Sequence, residues 1–157
     1  MAKALEIEGL RADEPYYEAA ARVVGIRAQE LFAEAQGVLD VSDIERVHDM
    51  RVATRRLRAV LEIFEPCFPS KAFKLVLGDV KMLADALGER RDPDVHIESL
   101  TRYLATATQA DAVGVNTLIV ALGTQQSEAN LLLADSLKQI EESGLRTRLE
   151  DLVGGAK

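Results

Sequence analysis

The chain reads as an all-α protein, an antiparallel helical bundle of about five long helices plus a short C-terminal one. Three observations carry this expectation. Ala, Leu and Glu are abundant, while aromatic residues make up only 4% of 157 residues, with 4 Pro and no Trp. Apolar residues recur at helical spacing, and no run alternates with the period of two that marks a strand. The connections, such as EPCFPS, are short, which implies antiparallel neighbours.

The totals describe one domain with a real core, at 48% apolar and 29% charged residues. No stretch has the uninterrupted apolar length of a membrane span. The N-terminal MAKALEIEGLRADE lacks the apolar centre of a signal peptide. The single Cys67 excludes an internal disulfide and reads as a packed turn thiol between two prolines. A cytoplasmic protein without membrane contact is expected.

Residues 1–12 are expected to form a flexible arm, residues 13–153 the helical domain and residues 154–157 a frayed tail. The first helix should begin near Asp13 with Pro15 in its first turn and stop near Gly37. Ala20, Val23, Val24, Leu31 and Phe32 give it an apolar face, and Gly25 weakens it by about 1 kcal/mol relative to Ala. Ser42-Asp43-Ile44-Glu45 has the capping-box pattern, so the second helix starts there and ends before Pro66. Ser70 reads as the cap of a third helix ending at Gly88, with Phe73, Val76, Leu77, Val80, Leu83, Ala84 and Leu87 inward. In GERRDPDV, Asp92 reads as the N-cap and Pro93 as the first residue of a fourth helix reaching about Ala107, with Asp94 suited to its positive end. QADAVGVN is a turn or a frayed entry to the last long helix, roughly residues 116–143. That helix carries Leu118, Leu122, Ala129, Leu133, Leu137 and Ile140 on one side; Gly144 ends it and LRTRLEDLV forms one short helix more.

Function is concentrated between Val47 and Phe64, VHDMRVATRRLRAVLEIF, which packs a histidine and four arginines into eleven residues of a protein with net charge -7. Taking His48 as zero, Arg51, Arg55 and Arg58 fall at roughly 300°, 340° and 280° around the helix, one narrow stripe. Met50, Ala53, Leu57, Val60, Leu61 and Phe64 fall between roughly 120° and 220° and form the core face, while Arg56, at about 80°, lies off the stripe. The third helix repeats the offsets with Lys71, Lys74 and Lys81, and Gly78 opens room at the fourth place. Two adjacent basic stripes along one groove are expected. Arg46 to Arg91 holds ten Lys/Arg against six Asp/Glu, a net +4, whereas the remainder holds nine against twenty, a net -11. A basic segment in an acidic shell focuses one anion and repels other polyanions.

VHDMRVATRRLRAVLEIF, followed by LGERRDPDV, resembles the CHAD family, the conserved-histidine α-helical domains; the likeness is strongest from Ser42 to Leu100. The resemblance implies a helical module that binds inorganic polyphosphate through a basic surface, fused in some members to triphosphate-processing enzymes or found on polyphosphate granules. His48 stands at the family's histidine position, and Arg51, Arg55, Arg56 and Arg58 at its arginine positions. Lys74 and Lys81 fall on the following basic helix, and Arg91, Asp92 and Asp94 match its Arg-Asp-x-Asp ending. Family members commonly contain two such halves related by a pseudo-twofold axis, and one motif is present here. A fragment, a degenerate relative or a half-module that pairs with itself is implied, and a homodimer would restore the two-half arrangement.

Several functions compete for these residues. His48, Arg51, Arg55, Arg56, Arg58, Lys71, Lys74, Lys81 and Arg91 are the candidate phosphate ligands, because arginine offers planar charged donors and lysine mobile point charges. The rival is a protein-interaction or scaffold bundle whose basic face docks an acidic partner or a second subunit. An enzyme is disfavoured, since only Glu62 and Asp85 are carboxylates on the two stripes and no nucleophile–base pair or glycine-rich phosphate loop occurs. No metal is expected, because His96, the other histidine, lies on a different helix from His48. No cofactor is expected either. Net charge and few aromatics disfavour nucleic acid. Asp92 and Asp94 with Arg91 read as a structural cap and ion-pair hub, and Arg90 as a rim or solvent residue.

Overall fold

The computed structural model describes residues 3–157, of which the first dozen are non-helical. Five α-helices follow in order: α1 (Tyr16–Glu34), α2 (Glu45–Ile63), α3 (Ser70–Leu104), α4 (Gln109–Glu142) and α5 (Leu145–Gly154), with a 3-10 turn at Glu65–Cys67 between α2 and α3. Among the described residues there is no strand, and no helix is long and apolar enough to cross a membrane. The chain is all-α, as its composition predicts.

Side-chain contacts set the directions of the helices. Tyr16 at the start of α1 meets Phe64 just past the end of α2, with ring centroids 5.2 Å apart, so the two run antiparallel. Arg91 of α3 reaches Glu45 at the start of α2, and Lys81 reaches Glu62 at its end, which makes α3 antiparallel to α2. The apolar faces of all five helices meet in one core, led by Leu31, Met50, Leu57, Leu61, Phe73, Leu83, Leu87, Leu133 and Leu149. Helix α5 closes that core against α1 and α3. Its Arg148 pairs with Asp79 of α3 and donates from Nε to the Ser143 carbonyl at 3.0 Å.

The helix ends differ in instructive ways from those expected. Helix α1 starts at Tyr16, not Asp13, because Asp13 is occupied by Arg11 in the preceding turn. Ser42 is not a cap: its Oγ donates to Asp40 at 2.7 Å in a local turn, and α2 begins at Glu45. Ser70 is already inside α3, with Pro69 in the cap position and no side-chain cap bond. QADAVGVN is helical throughout, because Thr108 caps α4 by accepting from the Asp111 amide at 3.2 Å. Leu118, expected inward, is 49% exposed. Gly144 does end α4, in the left-handed conformation at φ 66. Of the arm expected over residues 1–12, the first two lie outside the described residues. The rest lies along α1, where the Leu5 amide donates to Glu30, the Leu5 carbonyl accepts from Arg27 at 3.2 Å and the Gly9 carbonyl accepts from Arg22. The tail expected to fray is docked, with the Lys157 amide donating to the Cys67 carbonyl at 3.0 Å.

The largest departure is at Pro93. The third and fourth expected helices are one 35-residue helix with Pro93 inside it, so four long helices precede the short one. An interior proline removes a backbone bond and costs about 3 kcal/mol, and Gly88 adds a further weak point. Asp92 is therefore no cap; it is an exposed mid-helix residue. Arg90 and Asp94, on either side of the proline, are 0% exposed and form an ion pair. Arg90 Nε donates to Asn130 Oδ1 at 3.1 Å, Gln126 Nε2 donates to Asp94 Oδ1 at 2.6 Å, and Asn130 Nδ2 donates to the Leu39 carbonyl at 3.1 Å. Both sides of the weak point are thus fastened to the same turn of α4, and through Asn130 to the α1–α2 connection. Arg90 is a buried structural residue, contrary to its expected rim or solvent position. Removing one member of such a pair strands a buried charge. Arg90→Met should lower the urea-unfolding free energy by about 3–5 kcal/mol, and adding Asp94→Leu should restore most of it.

Candidate functional site

The basic face of α2 follows from where its apolar residues go. Val47, Met50, Ala53, Leu57 and Leu61 are buried, so the opposite side is turned outward. Arg51 and Arg55 are exposed, while His48 and Arg58 are half-buried along the same side. Thr54 stays buried because its hydroxyl donates to the Met50 carbonyl at 2.8 Å.

Partner accounting separates these arginines from the others. The chain has thirteen arginines. Most are tied to carboxylates: Arg11 to Asp13, Arg22 to Glu14, Arg27 to Glu30, Arg46 to Asp43, Arg102 to Glu98. Arg146 lies over the Phe32 ring, 4.3 Å from its centroid. Arg56, off the stripe, is half-buried and already engaged within the fold. Among the described residues, Arg51 and Arg55 are the two arginines with no hydrogen bond, ion pair or ring contact. An acidic protein that pairs its other arginines leaves these two adjacent and open.

One carboxylate joins the two helices on this face. Glu62 Oε1 accepts from Arg58 Nε at 3.1 Å and lies 3.6 Å from Lys81 Nζ. The hydrogen bond from Arg58, then the charges of Arg58 and Lys81, hold the Glu62 carboxyl below the ordinary value of 4.5. At the other end Arg91 Nη1 donates to the Ile44 carbonyl at 3.3 Å, and its Nη2 lies 3.8 Å from Glu45. These cross-links set the register. Lys81 stands opposite the Arg58 end of the α2 stripe, whereas Lys71 and Lys74, exposed in the first turns of α3, lie towards the 3-10 turn. The matching offsets in sequence therefore do not place the stripes rung by rung, because antiparallel helices count in opposite directions. Gly78 is exposed, and a side chain there would meet nothing within 4 Å.

The Arg-Asp-x-Asp ending is divided between two tasks. Arg91 ties α3 to α2, and Asp94 pairs with Arg90 rather than Arg91. Asp92 joins neither. Residues overlooked in the sequence also gather here. Glu45, His48 and Asp49 present ligand atoms within 4.8 Å of one another on the first turns of α2. The signal is the i, i+3, i+4 spacing of E-x-x-H-D, which places all three on neighbouring positions of one helix surface. An apolar cleft of about 260 Å³ between α1 and α5, lined by Gly25, Phe32, Arg146 and Val153 among others, contains none of the basic-face residues.

The CHAD domain family model matches residues 22–157, most of the chain. A search of curated proteins returns no match to it.

The Glu62 tie is complete above the ordinary glutamate value and is lost as pH falls through its lowered one. An NMR titration should place the Glu62 carboxyl midpoint below 4.5. In Arg58→Ala, which removes the largest cause, the midpoint should move back towards the ordinary value. The global stability change should stay within about 1 kcal/mol, since the pair is exposed.

Proposed function

Because the chain belongs to the CHAD family, which is associated with polyphosphate-related proteins, we propose that it is a non-catalytic module that binds inorganic polyphosphate on the α2–α3 face. The observation that carries this reading is the pair of open arginines, Arg51 and Arg55, in a protein of net charge -7. Planar guanidinium groups give phosphate oxygens paired, charge-assisted donors. Arg58 and Lys81 extend the face towards α3, Lys74 and Lys71 extend it along that helix, and His48 adds a donor at the start of α2. Arg56 and Arg91 support it from within the fold. A face that runs along two helices suits a chain of phosphates better than a single one. Two copies pair to restore a two-half module, and the protein works in the cytoplasm, in association with polyphosphate granules.

Thermal-shift titrations with long-chain polyphosphate, orthophosphate and DNA in parallel test this, because a ligand of the native state raises its stability by mass action. Polyphosphate should give the largest shift. Neutralising about six phosphates predicts a log–log salt slope of roughly -4, using the single-strand coefficient. Absence of binding by an intact, helical protein would sink the proposal. If polyphosphate has no effect while Arg55→Glu breaks an assembly, the face instead docks an acidic protein partner.

Arg51→Ala and Arg55→Ala should each weaken polyphosphate binding about tenfold, or about 1.4 kcal/mol. Neither should change unfolding free energy by more than about 0.5 kcal/mol, since both side chains are exposed and unpaired. Glu62→Gln should tighten binding about threefold, because it frees Arg58 and Lys81 and removes a like charge from the ligand's path.

A further inference from the structure

The outer part of α4 is unlike the rest of the surface. From Ala112 to Ser127, AVGVNTLIVALGTQQS, sixteen residues carry no charge in a chain that is 29% charged. The inward side, with Val115 and Ile119 part-buried and Leu122 buried, is accounted for by the fold. The outward side is not. Val113, Val120 and Leu131 are 70%, 72% and 70% exposed, the highest values among the large hydrophobic residues of the described chain. At 100° per residue these three fall within about 20° of one another and form a single line about 27 Å long. Thr117, Thr124 and Ser127, the residues between them within about 40° of that line, are small and uncharged, and the nearest charge, Glu128, lies about 60° to one side.

A helix that is apolar on opposite sides belongs inside a larger core. This segment instead lies where the bundle has run out: α3 has no buried residue beyond Asp94, and α4 has none before Leu122. The two helices project there as a hairpin with one part-buried seam.

We infer that this face of α4 is where a second copy of the chain docks, the two α4 helices crossing about a two-fold axis. The inference rests on the two-copy arrangement proposed above and names the surface by which it forms. Charge selects this occupant. Two copies at net charge -7 repel each other, and the place where they approach at least cost is a surface without charges of its own. A strongly acidic or basic partner would find no counter-charge there, whereas an uncharged line of small and branched residues is complementary to itself. Pairing would turn the projecting hairpin into half of a four-helix arrangement with buried seams on both sides.

Sedimentation equilibrium at micromolar protein tests the assignment. The unmodified chain should sediment as a dimer, and Val120→Glu and Leu131→Lys should each halve the mass while circular dichroism shows unchanged helix content. A monomeric unmodified chain would overturn the inference, the face then belonging to a different partner. A dimer that survives both substitutions would overturn this choice of surface. Polyphosphate titration of Val120→Glu, read alongside, reports on the α2–α3 face alone, so failure of one reading is distinguishable from failure of the other.

Discussion

Arg90 and Asp94 sit on either side of Pro93, out of reach of solvent, and hold both parts of α3 to the same turn of α4. Much else depends on that fastening. The residue after Arg90 is Arg91, which reaches across to the start of α2, so the setting of α3 about its own axis also sets its contact with α2. Asn130, bonded to Arg90, holds the α1–α2 connection through the Leu39 carbonyl. A buried pair of this kind adds little net stability, because desolvating two charges offsets most of their attraction. Among the described residues Arg90 Nη2 and Asp94 Oδ2 have no hydrogen-bond partner, which makes the net gain smaller still. Its geometric effect is to join α3 to one turn of α4, through Asn130 and Gln126.

The candidate face is defined by what the rest of the chain does with its charge. Acidic residues exceed basic ones by seven, so carboxylates are plentiful enough to match every arginine. They are used on most of them, at helix ends, along helix faces and inside the core. Arg51 and Arg55 stand one turn apart on a helix whose acids are engaged elsewhere, Glu45 towards Arg91, Glu62 towards Arg58 and Lys81, and Asp49 within the fold. Like charges one turn apart on a helix are mutually unfavourable by a few tenths of a kcal/mol. Keeping them open is a small standing cost that an anionic ligand relieves.

What was legible in the sequence was periodic. The helices, their apolar faces and the stripe of α2 all follow from 3.6 residues per turn, and the stop at Gly144 follows from the left-handed conformation that glycine tolerates. What was not legible depended on distant partners. Asp92-Pro93 has the local chemistry of a helix start, and only residues some thirty-five positions away on α4 override it. Ser42 has the spacing of a cap, but Asp40 competes for its hydroxyl. The buried state of Arg90 is invisible locally, since its neighbour Arg91 is half-buried with the same side chain. The relation of the two basic stripes depended on register, which the repeated offsets of Lys71, Lys74 and Lys81 could not supply.

Glu62 gives the α2–α3 face a discriminating property. It is a resident anion already seated between Arg58 and Lys81, tethered to its own helix and therefore present at high effective concentration. A lone phosphate arriving at that end must displace one carboxylate and gains little more than the carboxylate already supplied. A polymer that is also held at Arg51 and Arg55 brings its next phosphate to the same spot as an intramolecular competitor, on equal terms with the tether. On the polyphosphate-binding reading proposed above, occupancy of the whole face would reward valence over charge density at any one point, and the tethered carboxylate would work as a length gauge.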